Sequence, residues 1–429
     1  MKVSATTPDA LPPGLRALLY GIFCWLNRHI VVLRGIGALL RLWPFVGGWF
    51  GLAVRASAAK NVLTRPKSFS NRSHAPNMVA GDYLIGMDPG PTYSADRELL
   101  NKRLAALHAQ FDPDRETRRR VELVRQIGKK DSFDLIEDYL LWIVFRAIEP
   151  VFGEAASRVA VGAQGDVSDE GLQRQYLFEV RYVAGQLLAG NLSTLRVQRR
   201  AELCGDALRA RIAGVSSDIG RSWGVSGPPE FIQRNAIGLA WISHPVTVQS
   251  GALAVQELLG RSEVYRSLRA RAAKIGEPGV WTDTEFRKSV RDHVLELMRF
   301  RPIFPLLARE VPRDTEFETG GRNNARCPGG GSVAIWSIAA LFDSRAVPDS
   351  GKFCPHRDWH DEAPLRYLMF GYGDRQCPAK DYAVDIITSA LIGLLVLPEL
   401  RLAHDEGKAI AYDGPLMSRM RMRFAQQGK

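Results

Sequence analysis

Paired cysteines are missing from this 429-residue sequence: Cys24, Cys204, Cys327, Cys354 and Cys377 are odd in number, and none stands in a Cys-x-x-Cys pair. That argues against a disulfide framework and a zinc ribbon and fits a reducing compartment. Long apolar runs are missing too. The stretches 17–27 and 42–54 carry no charge, but Arg28, Arg34 and Arg41 separate them and Pro44 interrupts the second, whereas a bilayer span needs roughly 20 consecutive apolar residues. Met1 to Pro13 lacks a basic start followed by an apolar core, so no cleaved secretory signal is expected. No repeat and no low-complexity tract is visible. Strand-like pieces are few, Val333 to Trp336 being the clearest.

What is present is an ordinary globular composition, with 46% hydrophobic and 24% charged residues, so the chain can bury a large core. The periodicity is mostly helical. Apolar residues recur at spacings of three and four in 99–107, 121–127, 133–148, 176–188, 201–212, 231–259 and 290–300. The breaker-rich stretches 214–230, 320–331 and 346–364 read as loops within one domain. A mainly α fold with small β-sheets follows, as one large domain over 56–429 with an apolar, amphipathic segment, 1–55, packed on it. The stretch 231–259 is long enough to cross the whole domain, and Pro245 inside it removes one backbone hydrogen bond. The net charge of +11 suits acidic partners. No reading helix or basic-aromatic platform supports nucleic acid among them.

The sharpest local signal runs from Phe370 to Ala379, Phe-Gly-Tyr-Gly-Asp-Arg-Gln-Cys-Pro-Ala, followed by an apolar helical pattern over 382–397. A cysteine at the start of a helix meets free N–H groups and the positive dipole end, which favours the thiolate that a soft metal or haem iron requires. Glycines let the preceding loop approach a flat cofactor, and Arg375 supplies a cation. The sequence resembles the cytochrome P450 family, whose haem signature is matched at Phe370, Gly373, Arg375 and Cys377, with Ala379 where the family has glycine. Cys327-Pro328 mimics Cys377-Pro378 but lacks the aromatic and the arginine, and reads as a loop thiol. Glu296-Leu297-Met298-Arg299 resembles the family's Glu-x-x-Arg, and 353–359 its Phe-x-Pro-x-Arg-Phe segment with Trp359 as the final aromatic. By that resemblance Arg357 joins Glu296 and Arg299 in a structural triad.

The resemblance implies haem b (iron protoporphyrin IX) held by Cys377, with its acidic propionates met by Arg97, Arg309 and Arg375 and by Tyr93, which stands where the family carries histidine. It implies a cytochrome P450 fold and a monooxygenase acting on a hydrophobic, lipid- or terpenoid-like small molecule. No flavin or iron–sulfur segment is present, so electrons would come from a ferredoxin or another external donor. The basic cluster Arg115, Arg118, Arg119, Arg120, Arg125, Lys129 and Lys130 is the expected docking place, the alternative being a solvated helix surface.

One departure matters. The family's long helix usually carries an acid followed by threonine for proton delivery, and here the corresponding zone reads Ile242-Ser243-His244-Pro245-Val246-Thr247. Thr247 remains as the alcohol, but the acid is missing. His244-Pro245 resembles the Arg-Pro of fatty-acid peroxygenases, so that His244, Pro245 and Thr247 form the candidate catalytic set. The alternatives to a monooxygenase are a peroxygenase or a donor-independent isomerase or dehydratase, and, outside catalysis, a haem-binding sensor or carrier. The expected location is cytoplasmic, with peripheral membrane contact as the variant in which the apolar N-terminal surface touches lipid.

Overall fold

The computed structural model describes residues 12–41, 46–47, 49–128, 132–161, 170–225, 227–321, 324–404 and 408–425. In chain order the first helices are α1 (Pro13–Arg28), α2 (Ile30–Leu40), α3 (Ala56–Leu63), α4 (Pro91–Gln110), α5 (Pro113–Gly128), α6 (Leu141–Ile148), α7 (Ala156–Val161) and α8 (Glu170–Ala189). They continue as α9 (Leu195–Ala213), α10 (Ser216–Trp223), α11 (Pro229–Leu259), α12 (Ser262–Ile275), α13 (Thr284–Phe300), α14 (Ser337–Ala340) and α15 (Lys380–Leu395). The helical stretches expected from apolar spacing lie in helices, except that 133–148 opens with two strand residues, Phe133 and Asp134, before a π-turn runs into α6. Proline opens α4 and α11, where its missing N–H costs nothing. The Asp283 carboxylate caps α13 by accepting the Phe286 N–H at 2.8 Å.

Two stretches expected as loops hold structure. The 214–230 stretch contains α10, because Ile219 and Trp223, four residues apart, bury one helical face despite the surrounding glycines. The 320–331 stretch contains a strand, and Cys327 ends it fully buried rather than sitting in a loop.

The strands are β1 (Val46–Gly47), β2 (Phe50–Ala53), β3 (Phe133–Asp134), β4 (Leu307–Glu310), β5 (Thr315–Glu318), β6 (Asn324–Cys327), β7 (Ser332–Ile335), β8 (Leu400–Leu402), β9 (Ile410–Asp413) and β10 (Leu416–Phe424). One sheet has the order β1-β2-β7-β4, with β2 parallel and β4 antiparallel to β7. The N-terminal segment thus contributes strands to a sheet shared with the rest of the chain. A second sheet orders β3-β10-β8 with β9 against β10, and β5-β6 form a hairpin.

Two helices organise the core. α15 is buried on nearly every side, as an apolar sequence without a polar face requires. α11 runs through Pro245 without interruption, and at its middle Gln249 clamps β10, donating from Nε2 to the Met417 carbonyl at 2.6 Å and accepting the Met417 N–H at 2.9 Å.

Candidate active site

The loop before α15 is shaped by its glycines. Gly371 and Gly373 have φ of +87° and +63°, conformations that side chains with a Cβ rarely adopt, and the loop closes when the Cys377 N–H donates to the Phe370 carbonyl at 2.8 Å. The Cys377 sulfur accepts the Ala379 N–H. Burial pushes the thiol up, while that hydrogen bond and the charges of Arg97 and Lys380 work the other way. Cys377 is therefore a half-buried sulfur with a backbone donor and cations around it, a setting that an iron would convert to thiolate.

Behind the loop lies the Glu296 network. Glu296 Oε1 and Oε2 each accept from Arg299 at 2.8 Å, and Oε1 also accepts from Arg357 Nη2 at 3.0 Å and from the Cys354 N–H at 2.9 Å. Arg299 spends its remaining donors on the Leu341, Ser350 and Lys352 carbonyls. All three side chains are buried. The carboxylate is disfavoured by burial, but its two arginines and the N–H outweigh that and hold it below the usual range.

A group of cations gathers beside the Cys377 loop. Arg97 Nη2 donates to the Gln376 carbonyl at 3.0 Å, and the Tyr93 hydroxyl donates to the Asp374 carbonyl at 3.1 Å, so both α4 residues grip the loop backbone. Arg375 donates to the Met87 carbonyl and to Asp88, each at 3.1 Å, while its buried Nε has no partner. Arg309, on β4, is 7% exposed, and its Nη1 donates to the neighbouring Ala308 carbonyl at 2.7 Å. No carboxylate stands at ion-pair distance from it among the described residues. A buried guanidinium in that condition calls for an anion. Asp88, which accepts from the Ser70 hydroxyl at 2.6 Å and the Asn71 N–H at 2.9 Å, is the one acid of this group. Asp88 also reaches Arg72 at 3.6 Å, so Arg97, Arg309 and Arg375 carry an excess of positive charge that the two propionates of a haem would answer. The residues present fit that cofactor, both in the sulfur donor and in the unmatched cations.

The structure brings Tyr93, Arg97, Phe370, Gly373, Arg375 and Cys377 together, with Arg309 close to Arg375. The candidates on α11 are placed differently. Tyr83, electrostatically coupled to Cys377, packs against Gly238 so tightly that a Cβ there would meet its ring at 2.0 Å, and Trp241 lies edge-on to it at 6.4 Å. At about 100° per residue Pro245 falls on the Gly238 face, whereas His244 is turned roughly 120° from it. His244 instead points at α6: its Nε2 donates to the Leu141 carbonyl at 3.0 Å and its ring meets Phe145 edge-on. Burial without a charged partner pulls it down to about 4. It is therefore a neutral imidazole at neutral pH. The Thr247 hydroxyl donates to the Ser243 carbonyl at 2.7 Å.

Tyr83, Gly238 and Trp241 were not singled out from sequence. Gly238, a lone glycine in an apolar helical run, was the readable signal. A further tie is the bidentate pair between Asp96 and Arg234, both contacts 2.7 Å, which fastens α4 to the first half of α11. In the basic cluster, Arg120 and Arg125 pair with Glu116 and with Glu122 and Glu277, and Arg118 covers the Trp281 ring. Arg115, Arg118 and Arg119 are exposed, Arg119 reaching Glu116 at 3.8 Å, and Lys129 and Lys130 lie outside the described residues.

A profile described as Cytochrome P450 matches residues 280–411, the stretch that carries Glu296, Arg299, Arg357 and Cys377. The chain is similar to the cytochrome P450 monooxygenase peniB of Penicillium patulum, 27% identical over 31% of this chain and 24% of that one, so the match spans about a quarter of that relative. Cytochrome P450 98A1 of Sorghum bicolor is 23% identical over 83% of this chain and 78% of its own. A solved structure of a P450 EryK mutant in complex with erythromycin B superposes with a TM-score of 0.68 at 16% identity, covering 94% of this chain and 99% of that one. The profile places 280–411, with its thiol loop and buried Glu-Arg-Arg network, in the cytochrome P450 family, and the superposition gives the chain the cytochrome P450 fold, whose cofactor is haem.

Proposed function

We propose that this protein is a haem-thiolate monooxygenase that inserts one oxygen atom of O2 into a largely hydrophobic, lipid- or terpenoid-like molecule, taking electrons from a separate donor such as a ferredoxin. The observation that carries this reading is the Cys377 loop, whose sulfur has a backbone N–H donor and lies beside a group of arginines that outnumber the acid among them, Asp88. Haem, when bound, supplies the oxidising chemistry. The chain supplies the rest. Cys377 would supply the sulfur ligand, and Arg97, Arg309 and Arg375 would hold the propionates, assisted by Tyr93, which fixes the loop.

For proton delivery the chain offers the Thr247 hydroxyl, anchored on Ser243, with Pro245 leaving the Trp241 carbonyl without its usual helical donor. The donor-independent alternative asks His244 to hold an anion. An imidazole bonded to Leu141 and uncharged at neutral pH supplies no such charge, which favours the electron-driven reading. Turnover of a lipid and terpenoid panel, run in parallel with a ferredoxin system and with hydrogen peroxide, tests it: product with the first and little with the second is expected, and the reverse would replace it with a peroxygenase.

Peripheral membrane contact is part of the same reading. Among the described residues no single helix is long and apolar enough to cross a membrane. α1 and α2, meeting at 96°, expose Leu18, Trp25, Val31 and Leu39, an apolar flank suited to the surface of a bilayer from which such a substrate would be drawn.

A further inference from the structure

The family histidine that helps to hold a propionate is absent from α4, where Tyr93 stands and turns its hydroxyl to the Asp374 carbonyl. The structure brings a different histidine to the cation group. His74 belongs to the 3-10 turn Arg72–Asn77, nineteen positions before Tyr93 and outside every motif. Its ring bonds to the Ala308 carbonyl, the same oxygen that accepts from Arg309 Nη1 at 2.7 Å. The neighbouring residue Ser70 is bridged to Glu310 by backbone hydrogen bonds of 2.8 and 3.0 Å, which fixes the approach of this turn to β4.

We propose that His74 is the imidazole of the haem-propionate cradle, acting beside Arg309 and Arg375. This rests on the haem reading above. An imidazole has two nitrogens, and the Ala308 carbonyl takes one, which leaves the other for an acceptor. The charged groups facing it are Arg309 from β4 and Arg375 from the Cys377 loop, with Asp88 bound to Arg375. With the Ser70–Glu310 pairing holding the turn to β4, three donor-bearing groups converge, and among the described residues Asp88 alone answers them with a carboxylate; burial and the two guanidiniums pull His74 down to about 4. A propionate placed among them satisfies the second ring nitrogen and the unpaired donors together. As a positioning residue of the cofactor, His74 touches no substrate.

The test uses the haem-loaded protein and transfer of its haem to excess apomyoglobin, with haem b and with haem dimethyl ester, whose propionates carry no charge. His74→Ala should release haem b roughly tenfold faster than the parent, the size of one hydrogen bond to a charged group, and His74→Gln, which keeps an N–H donor, should restore most of the difference. With the dimethyl ester, parent and His74→Ala should release alike. Equal acceleration with both haems would make His74 a packing residue, and no acceleration with either would remove it from the cradle. If His74→Ala does not fold, the parent decides: in the ferrous carbon monoxide form the His74 ring, followed by NMR, should titrate at higher pH with haem b than with the dimethyl ester, and identical titrations overturn the proposal. Failure of the haem reading itself shows separately, as a parent protein that takes up no haem.

Discussion

Glu296 and Arg357, 61 positions apart, meet through a 3.0 Å hydrogen bond at the same carboxylate oxygen that Arg299 and the Cys354 N–H use. This single buried oxygen joins α13 to the segment that leads into the Cys377 loop. Glu296→Gln leaves two guanidiniums buried without their counter-charge and should cost about 3 to 5 kcal/mol, read by denaturant unfolding together with haem content. Because the folded carboxyl lies below its unfolded value, the stability it contributes is present above the ordinary carboxylate range and is lost as pH falls through the folded value. The parent should lose that part on acidification, and the variant should have none to lose.

Cys377→Ala should abolish the strongly red-shifted Soret band of the reduced carbon monoxide form. Cys327→Ala, deep in β6, should keep the band and lose at most about 2 kcal/mol of stability. A band that survives the first substitution and disappears in the second would reverse the assignment.

His244 is held neutral in the fold, so protonation must favour the unfolded chain. With a folded value of about 4 against 6.5, its contribution is complete above pH 6.5 and is lost as pH falls to about 4, on the order of 3 kcal/mol in all. His244→Leu should flatten this part of the stability profile and leave electron-driven turnover within a few-fold of the parent. Thr247→Ala should instead uncouple turnover, raising peroxide release per electron consumed. Loss of peroxide-driven turnover in a well-folded His244→Leu would reinstate an anion-holding histidine.

On α5 Arg118 lies over the Trp281 ring, and the other exposed arginines are Arg115 and Arg119. Their helix is docked on α15, where the Ser389 hydroxyl donates to Asp114 at 2.7 Å. Reversing both to glutamate should slow reduction by an acidic ferredoxin about tenfold at low salt, with the difference shrinking as salt rises. An unchanged rate in stopped-flow measurements places the donor on another face.

Replacing Leu18 and Trp25 with glutamate should reduce cosedimentation with phospholipid vesicles without altering the spectrum of the haem. Identical binding by parent and variant would remove α1 from the membrane reading.

The legible parts of the site were those whose geometry is local. Phe370, Gly373, Arg375 and Cys377 fall within eight residues, and Glu296 and Arg299 share one turn of helix, so spacing alone aligns them. Arg357 and Arg309 were reached through the resemblance. His74 was not legible, because the turn that carries it reaches the cations only through the pairing of Ser70 with Glu310. His244 shows a different difficulty. Its position along α11 was readable, but a helix turns about 100° per residue, so a register uncertain by one residue leaves the facing side undetermined.

Pro378 and Ala379 are all that separates Cys377 from α15, the helix with buried residues from Tyr382 to Leu395. The sulfur proposed to hold haem is thus attached to a helix deep in the core of the molecule. Loosening at the surface can exchange substrate or donor without disturbing the ligand bond, whereas melting of α15 must release it. Visible absorbance should then serve as a thermometer of the interior: its loss on heating coincides with the collapse of far-ultraviolet dichroism and does not precede it.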